Sequence, residues 1–370
     1  MLSVLIFFVI LAVLVLSHEF GHFLVAKFFG IRVDEFGFGF PPKLFSFKKR
    51  ETEYSFNLLP FGGFVRIFGE TLHEGEKDAS RSFSHKSNWI QASVILAGVT
   101  FNFLLAWILL SAGFVKGLPV PTGWSPLGPT IENSRLLITD VMKDSPAEKA
   151  GIKTNDNIIY LVAKDSALQS PTVEELVNYI GVHGGEEIMV GYKRDSGTGF
   201  GDVQILKVIP KEGFVPGHAV MGVGLDMIGV LRIPIPKAIY SGAGATYTQT
   251  IITFMGLYDF ATGLFTGGTE SLASVSGPIG LIGIVEQSAS MGWVYLLSLI
   301  ALISINLGVL NVMPFPALDG GRLLFIIIGA IKRKPVKQEI QSYVNLAGFA
   351  ILLLLMLVIT WSDVAKLFNN

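Results

Sequence analysis

The chain has 370 residues, 51% hydrophobic and 15% charged, with a formal net charge of −1. A soluble domain carries about 25% charged residues, so this is a membrane-protein composition, and the near-neutral balance gives no footing for nucleic-acid binding. With no cysteine, disulfides and thiolate ligands are excluded, and any metal must be held by His, Asp or Glu.

Met1 to Leu16 are almost wholly apolar, and Phe23 to Phe29 continue so apart from Lys27. Leu2–Phe29 therefore exceeds the ~20 apolar residues a span needs. It lacks the basic leader and small-residue cleavage site of a secretory signal and is expected to be retained. Inside it stands His18-Glu19-Phe20-Gly21-His22. Residues four apart share a helix face, so both imidazoles can hold one metal. Glu19 can reach the open side of that metal as general base, which is the H-E-x-x-H pattern of zinc hydrolases.

The loop that follows carries Arg32, Lys43, Lys48, Lys49, Arg50 and Arg66. Within it Tyr54, Phe56 and Leu58 alternate with Ser55 and Asn57 at strand period. Phe64, Arg66 and Phe68 resume the alternation beyond Pro60-Phe-Gly-Gly63. A β-hairpin with apolar sides is predicted over 31–70. Its edge could hold an extended peptide by strand addition; the competing reading is a small sheet packed on the spans. His73 and His85 are expected to be solvated.

Ile90–Val115 is the second span, and Asn102 within it reads as a helix–helix hydrogen-bonding residue, as does Asn306 further on. From 120 to 212 the sequence turns polar and strand-like. Ser145 to Ile159 reads as a short helix, a glycine turn and a strand, with Asn155 suited to a left-handed turn. Thr172–Ile180 is a predicted helix with Val173, Leu176, Val177 and Ile180 on one face. His183 and His218 are expected in surface or turn roles. The linker 213–292 contains Thr246–Phe265, apolar with Asp259 its single charge. Counting it as a span would reverse the next span and turn Asp319 away from His22, so it is expected to be an interfacial helix.

Trp293–Val312 is the third span. It breaks at Pro314 and Pro316, resumes at Leu323–Ile331, and is followed by the fourth span, Val344–Trp361. Such a break is tolerated at membrane depth only where backbone is buried in protein or lines a cavity. Lys332, Arg333, Lys334 and Lys337 put this end on the same side as the first loop, the cytoplasmic one, and leave 116–292 outside. A catalytic zinc takes three protein ligands and one water. Asp319 is the candidate third ligand. From spacing alone it could equally cap the helix beginning near Gly321.

HEFGH in the first span together with Asn311-Val-Met-Pro-Phe-Pro-Ala-Leu-Asp319-Gly-Gly resembles the site-2 protease family of intramembrane zinc metalloproteases, in its bacterial regulator of sigma-E form. Gly37-Phe-Gly-Phe40, Thr52-Glu-Tyr54, Pro60-Phe-Gly-Gly-Phe64, Leu96-Ala-Gly98 with Asn102, and Ser276-Gly-Pro-Ile-Gly280 extend the resemblance over most of the chain. Val99 departs from it, standing where the family has proline. The resemblance implies Zn2+ on His18, His22 and Asp319, with Glu19 catalytic. It implies that Asn311 holds substrate backbone near the metal; Tyr54, Phe56, Gly62 and Gly63 of the β-loop are expected to contact substrate too.

The implied fold is a polytopic α-helical membrane protein with four transmembrane helices, a membrane-associated β-hairpin loop and one inserted extracytoplasmic PDZ-like α/β domain over 120–212, the core being split into 1–115 and 293–370. The implied setting is the bacterial inner membrane. The implied substrates are transmembrane segments of single-pass proteins already trimmed by another protease, such as an anti-sigma factor or remnant signal peptides. Two other functions fit less of the chain. One is an inactive scaffold with a structural metal. The other is a zinc transporter, which would need a polar path that the second and fourth spans do not show.

Overall fold

The structure is a computed structural model that describes residues 2–70, 79–122, 131–164, 166–194, 201–215, 218–266 and 277–368. His73 and Ser276 lie outside the described residues. The chain divides into two compact units, one of Met1–Ser111, Gly242–Gln287 and Leu297–Asn370, the other of Ala112–Ser241 and Ser288–Leu296.

The long helices are α1 (Leu2–Phe28), α2 (Asn88–Lys116), α5 (Ile235–Thr266), α7 (Trp293–Val312) and α9 (Gln338–Phe368). Among the described residues, α1, α2, α7 and α9 are long and apolar enough to cross a membrane. These are the four predicted spans, and this is a membrane protein. Helices α2 and α9 overrun the predicted apolar stretches into polar residues at their ends, most visibly α9, which starts at Gln338 rather than Val344.

Small residues set the packing, as they do where no hydrophobic effect drives helices together. A Cβ on Gly21 would lie 2.4 Å from the Ala97 carbonyl oxygen, so α1 and α2 touch backbone to backbone. Ala106, Ala301, Ile305 and Val309 are buried between α2 and α7. There the Ser304 hydroxyl donates to the Asn102 carbonyl at 2.8 Å. The segment predicted as an interfacial helix is the latter part of the longer α5. Leu257 packs on that same cluster, and Thr253 donates to Asn306 Oδ1 at 2.9 Å. Helix α6 (Pro278–Met291) is started by a carboxylate from α9: Asp363, 5% exposed, accepts the Gly280 N–H at 2.9 Å, where a helix N-terminus favours negative charge.

Two strands, β1 (Val33–Lys49) and β2 (Thr52–Ile67), form the predicted hairpin. Each bends so that the pair makes four runs. Residues 33–38 pair with 63–67 on one side and 53–56 on the other, while 43–49 pair with 52–57. The faces are the reverse of a soluble sheet. Thr52, Ser55 and Asn57 are buried, Thr52 bonded to the Val33 carbonyl at 2.8 Å and Asn57 to that of Gly39 at 3.0 Å. Phe40, Leu44, Phe45, Phe47, Phe56 and Leu58 are exposed. Tyr54 is half-buried: it stacks on Phe47 with ring centroids 5.2 Å apart and meets Phe23 of α1 at 6.2 Å. Glu35, buried at 4% exposure, is neutralised by Lys43 and Arg66, each 3.1 Å away.

The second unit is built on a seven-stranded sheet. Its order is β3 (Leu118–Pro121), β9 (Val223–Leu231), β4 (Glu132–Val141), β5 (Asn157–Ala163), β7 (Ile188–Lys193), β8 (Gln204–Val208), with β6 (Ser166–Gln169) beside β5. Leu136, Ile138, Ile158, Leu161, Ile188, Val190 and Met221 form its core. Helix α3 (Pro146–Ala150) ends at Gly151, φ +87°, and Asn155 takes the expected left-handed turn at φ +69°. Helix α4 (Val173–Val182) starts in a capping box between Thr172 and Glu175. Leu176 and Ile180 are buried, but Val177 is 55% exposed. It sits about 100° around the helix from Leu176, off the buried stripe that the sequence reading assigned to it.

Candidate metal centre

Three side chains from two distant parts of the chain converge. His18 and His22 lie one turn apart on α1, and Asp319 opens helix α8 (Asp319–Lys332). Asp319 Oδ2 is 3.0 Å from His18 Nε2 and 3.3 Å from His22 Nε2, and the two Nε2 atoms are 3.1 Å apart. The alternative reading of Asp319 fails: the N-cap position is Leu318, and no side chain caps this helix. Asp319 is delivered by two glycines. A Cβ on Gly320 would fall 2.1 Å from the Met313 carbonyl oxygen, and one on Gly321 would fall 2.4 Å from that of Phe315. The first turn of α8 can fold back against the end of α7 only without side chains there.

This triangle suits a cation. Three corners of a tetrahedron with metal–ligand bonds of ~2.0–2.1 Å lie about 3.3–3.4 Å apart, close to the spacing observed. Asp319 Oδ2 is buried and makes no hydrogen bond, although both rings are within ion-pair range. The outer nitrogen of His22 is satisfied, Nδ1 donating to the Val94 carbonyl at 2.8 Å. That bond leaves Nε2 with its lone pair facing the other two ligand atoms. The donor set of two imidazoles and a carboxylate is one that zinc accepts with a position left open.

Glu19 lines the same cavity, of about 80 Å3, with Val65, Ile67, Glu70, Phe83, Val94, Ile95 and Arg322. That is space for a few waters. Val65, Ile67, Glu70, Phe83, Ile95 and Arg322 also line a much larger cavity of about 1080 Å3, walled further by α8 and the start of α9. Arg322 and Glu70, paired at 2.6 Å, stand where the two meet. The strand run 63–67 forms one wall. A Cβ on Gly63 would lie 3.4 Å from Glu19 Cγ, and Gly62 has φ +112°. Of the residues expected to touch substrate, the structure brings Gly63 to Glu19. Tyr54, Phe56 and Asn311 do not line the small cavity. Phe56 packs near Phe38, and Asn311 is half-buried in the last turn of α7.

Sequence reasoning missed the contribution of α2. A Cβ on Gly98 would lie 2.4 Å from His22 Nε2 and 2.7 Å from His18 Cε1. One turn on, the Asn102 amide is 3.2 Å from His18 Nδ1. The Gly98–Asn102 spacing of four residues, facing a histidine pair of the same spacing, was the available signal. Two other histidines stay outside the site: His85 is exposed, and His183 bonds Ser166 at 3.0 Å in the second unit.

The profile of peptidase family M50 matches residues 6–355. The chain belongs to this family. It is similar to zinc metalloprotease RasP of Bacillus licheniformis, 31% identical across 99% of both chains. It is likewise similar to a putative zinc metalloprotease of Clostridium acetobutylicum, 32% identical across 96% of both. Regulator of sigma-W protease RasP of Bacillus subtilis is 30% identical across 99% of both. This M50 member is a zinc metalloendopeptidase of the site-2 protease type, and Zn2+ is its metal.

Proposed function

We propose that the protein hydrolyses peptide bonds inside the transmembrane segments of single-pass membrane proteins, with His18, His22 and Asp319 holding Zn2+ and Glu19 acting as general base. The observation that carries this reading is the convergence of the three ligand atoms, with both histidines and the glutamate on a helix long enough to cross a membrane. Zinc held there supplies Lewis acidity toward a carbonyl oxygen and lowers the pKa of water at the open position. Glu19 takes the proton of the attacking water and returns it to the leaving amine. The cavity shared by Arg322 and Glu70 gives water a way in.

A helical substrate hides its carbonyls in its own hydrogen bonds, so the scissile stretch has to be extended. The run 63–67 pairs on one side with 33–38. Its other side faces the metal cavity, and we read it as the edge on which an unwound substrate adds as a strand. The exposed aromatic face of the hairpin would rest at the lipid boundary. Basic residues of the hairpin and of 332–337 support a cytoplasmic side for both, with the sheet unit outside as a PDZ-like domain that filters substrates by size or holds peptide. The relative named as a regulator of sigma-W protease supports a role in sigma-factor control, and we read the substrate as a membrane-anchored anti-sigma factor, already trimmed by another protease, in the bacterial inner membrane.

The test compares wild type with Glu19→Gln on a bilayer-embedded single-pass helix. Cleavage falls about 100- to 10,000-fold with zinc content unchanged. Equal cleavage by the two proteins rejects the mechanism. Asp319→Asn loses zinc; undiminished occupancy removes it as a ligand.

A further inference from the structure

Asn102 is fully buried, at 0% exposure. Its amide nitrogen lies 3.2 Å from His18 Nδ1, while its Oδ1 is buried with no hydrogen-bond partner. This is an odd place for an interhelical amide, because the contact it makes is with the outer edge of a histidine whose inner edge faces Asp319 and His22. An imidazole that ligates through Nε2 keeps its proton on Nδ1, and that proton needs an acceptor. An amide nitrogen offers only donors. The two ends of an amide are nearly the same size, so a half-turn of the side chain puts the unpartnered Oδ1 where the acceptor is needed. His22 already has its acceptor, the Val94 carbonyl on the same helix.

We propose that Asn102 is the positioning residue of His18: in the zinc-bound protein its Oδ1 accepts the Nδ1 proton and fixes the ring's tautomer and orientation. Helix α2 then supplies the outer partner of both histidines of α1, one from backbone and one from a side chain. The inference rests on His18 being a ligand.

The test is zinc affinity of the full-length protein in detergent, measured by competition with a chromophoric chelator, with the visible spectrum of the Co2+-substituted protein as second readout. Asn102→Leu, of similar size but without an acceptor, is expected to weaken zinc binding about 10- to 100-fold and to shift the Co2+ bands. Asn102→Asp, which restores an acceptor, is expected to bind zinc at least as tightly as wild type. Asn306→Leu removes the other interhelical amide, bonded to Thr253, and is expected to leave affinity unchanged. Wild-type affinity in Asn102→Leu, or an Asn102→Asp as weak as Asn102→Leu, overturns the proposal. Should leucine prevent folding, Asn102→Ala reads the same loss. His18→Ala separates the two levels: zinc retained there overturns the ligand assignment itself, whereas zinc lost there but kept in Asn102→Leu overturns only the role of Asn102.

Discussion

Gly98→Ala adds one methyl group and should abolish the metal centre while leaving the helix intact. The added Cβ would stand 2.4 Å from His22 Nε2 and 2.7 Å from His18 Cε1. Ordinary contact begins near 3.4 Å, so the rings must retreat by about 0.7–1 Å, while metal–ligand distances tolerate about 0.2 Å. Neither ring can do so freely, since His22 is tied to Val94 and His18 meets Asn102. A displacement of this size costs about 100-fold or more in rate, and zinc binding should fall with it. Helix propensity moves the other way: alanine is favoured over glycine by about 1 kcal/mol in a helix interior. The assay is zinc content and cleavage of a bilayer-embedded helix, with thermal melting to confirm folding. Gly256→Ala is the control, because nothing lies within 4 Å of its would-be Cβ. A Gly98→Ala protein with full zinc and wild-type cleavage would refute the packing argument.

Two further outcomes concern stability. The ion pair with Lys27, and then that with Arg81, holds the Glu51 carboxyl below its usual range. A depressed carboxyl stabilises above its unfolded pKa of about 4.3 and loses that contribution as pH falls through its folded value. The melting gap between wild type and Glu51→Gln should therefore be small at pH 7, on the order of 0.5–1 kcal/mol for so exposed a pair, and close below about pH 4; a gap independent of pH contradicts this. In the second unit, Arg194 forks onto Asp156 at 2.7 and 2.6 Å, and the Asp156 side chain is 1% exposed. Arg194→Ala leaves a buried carboxylate held, among the described residues, by the Lys153 N–H and should cost about 2–3 kcal/mol in chemical denaturation; an unchanged midpoint would show that water repairs the pair.

What could be read from the sequence followed the kind of signal each residue gives. The spans and HEFGH announce themselves within one stretch of chain, through length and i,i+4 spacing, and Asp319 was reachable because Pro314, Pro316 and the double glycine mark a broken helix. Asn155 was legible because few residues besides glycine tolerate its backbone conformation. Val177 was misplaced, and the reach of Asn102 to the metal centre went unseen, for a common reason. Each depends on which neighbour a face meets, and a strand or helix period does not say what stands opposite. In the hairpin that partner is absent on one side, so Ser55 and Asn57 go inward and the aromatics outward. In α2 the partner is a histidine, so an amide expected between helices faces the metal centre.

The double glycine that folds α8 back on α7 has a consequence in time. During synthesis α1 and α2 are complete, with both histidines and Glu19 in place, long before Asp319 exists. A nascent chain therefore carries the base and two-thirds of the metal cage through most of its assembly, but the cage stays open. Only when the chain has passed Pro316 and turned at Gly320 can the third corner arrive, so the same turn that shapes the centre also delays it until nearly the whole protein has been made.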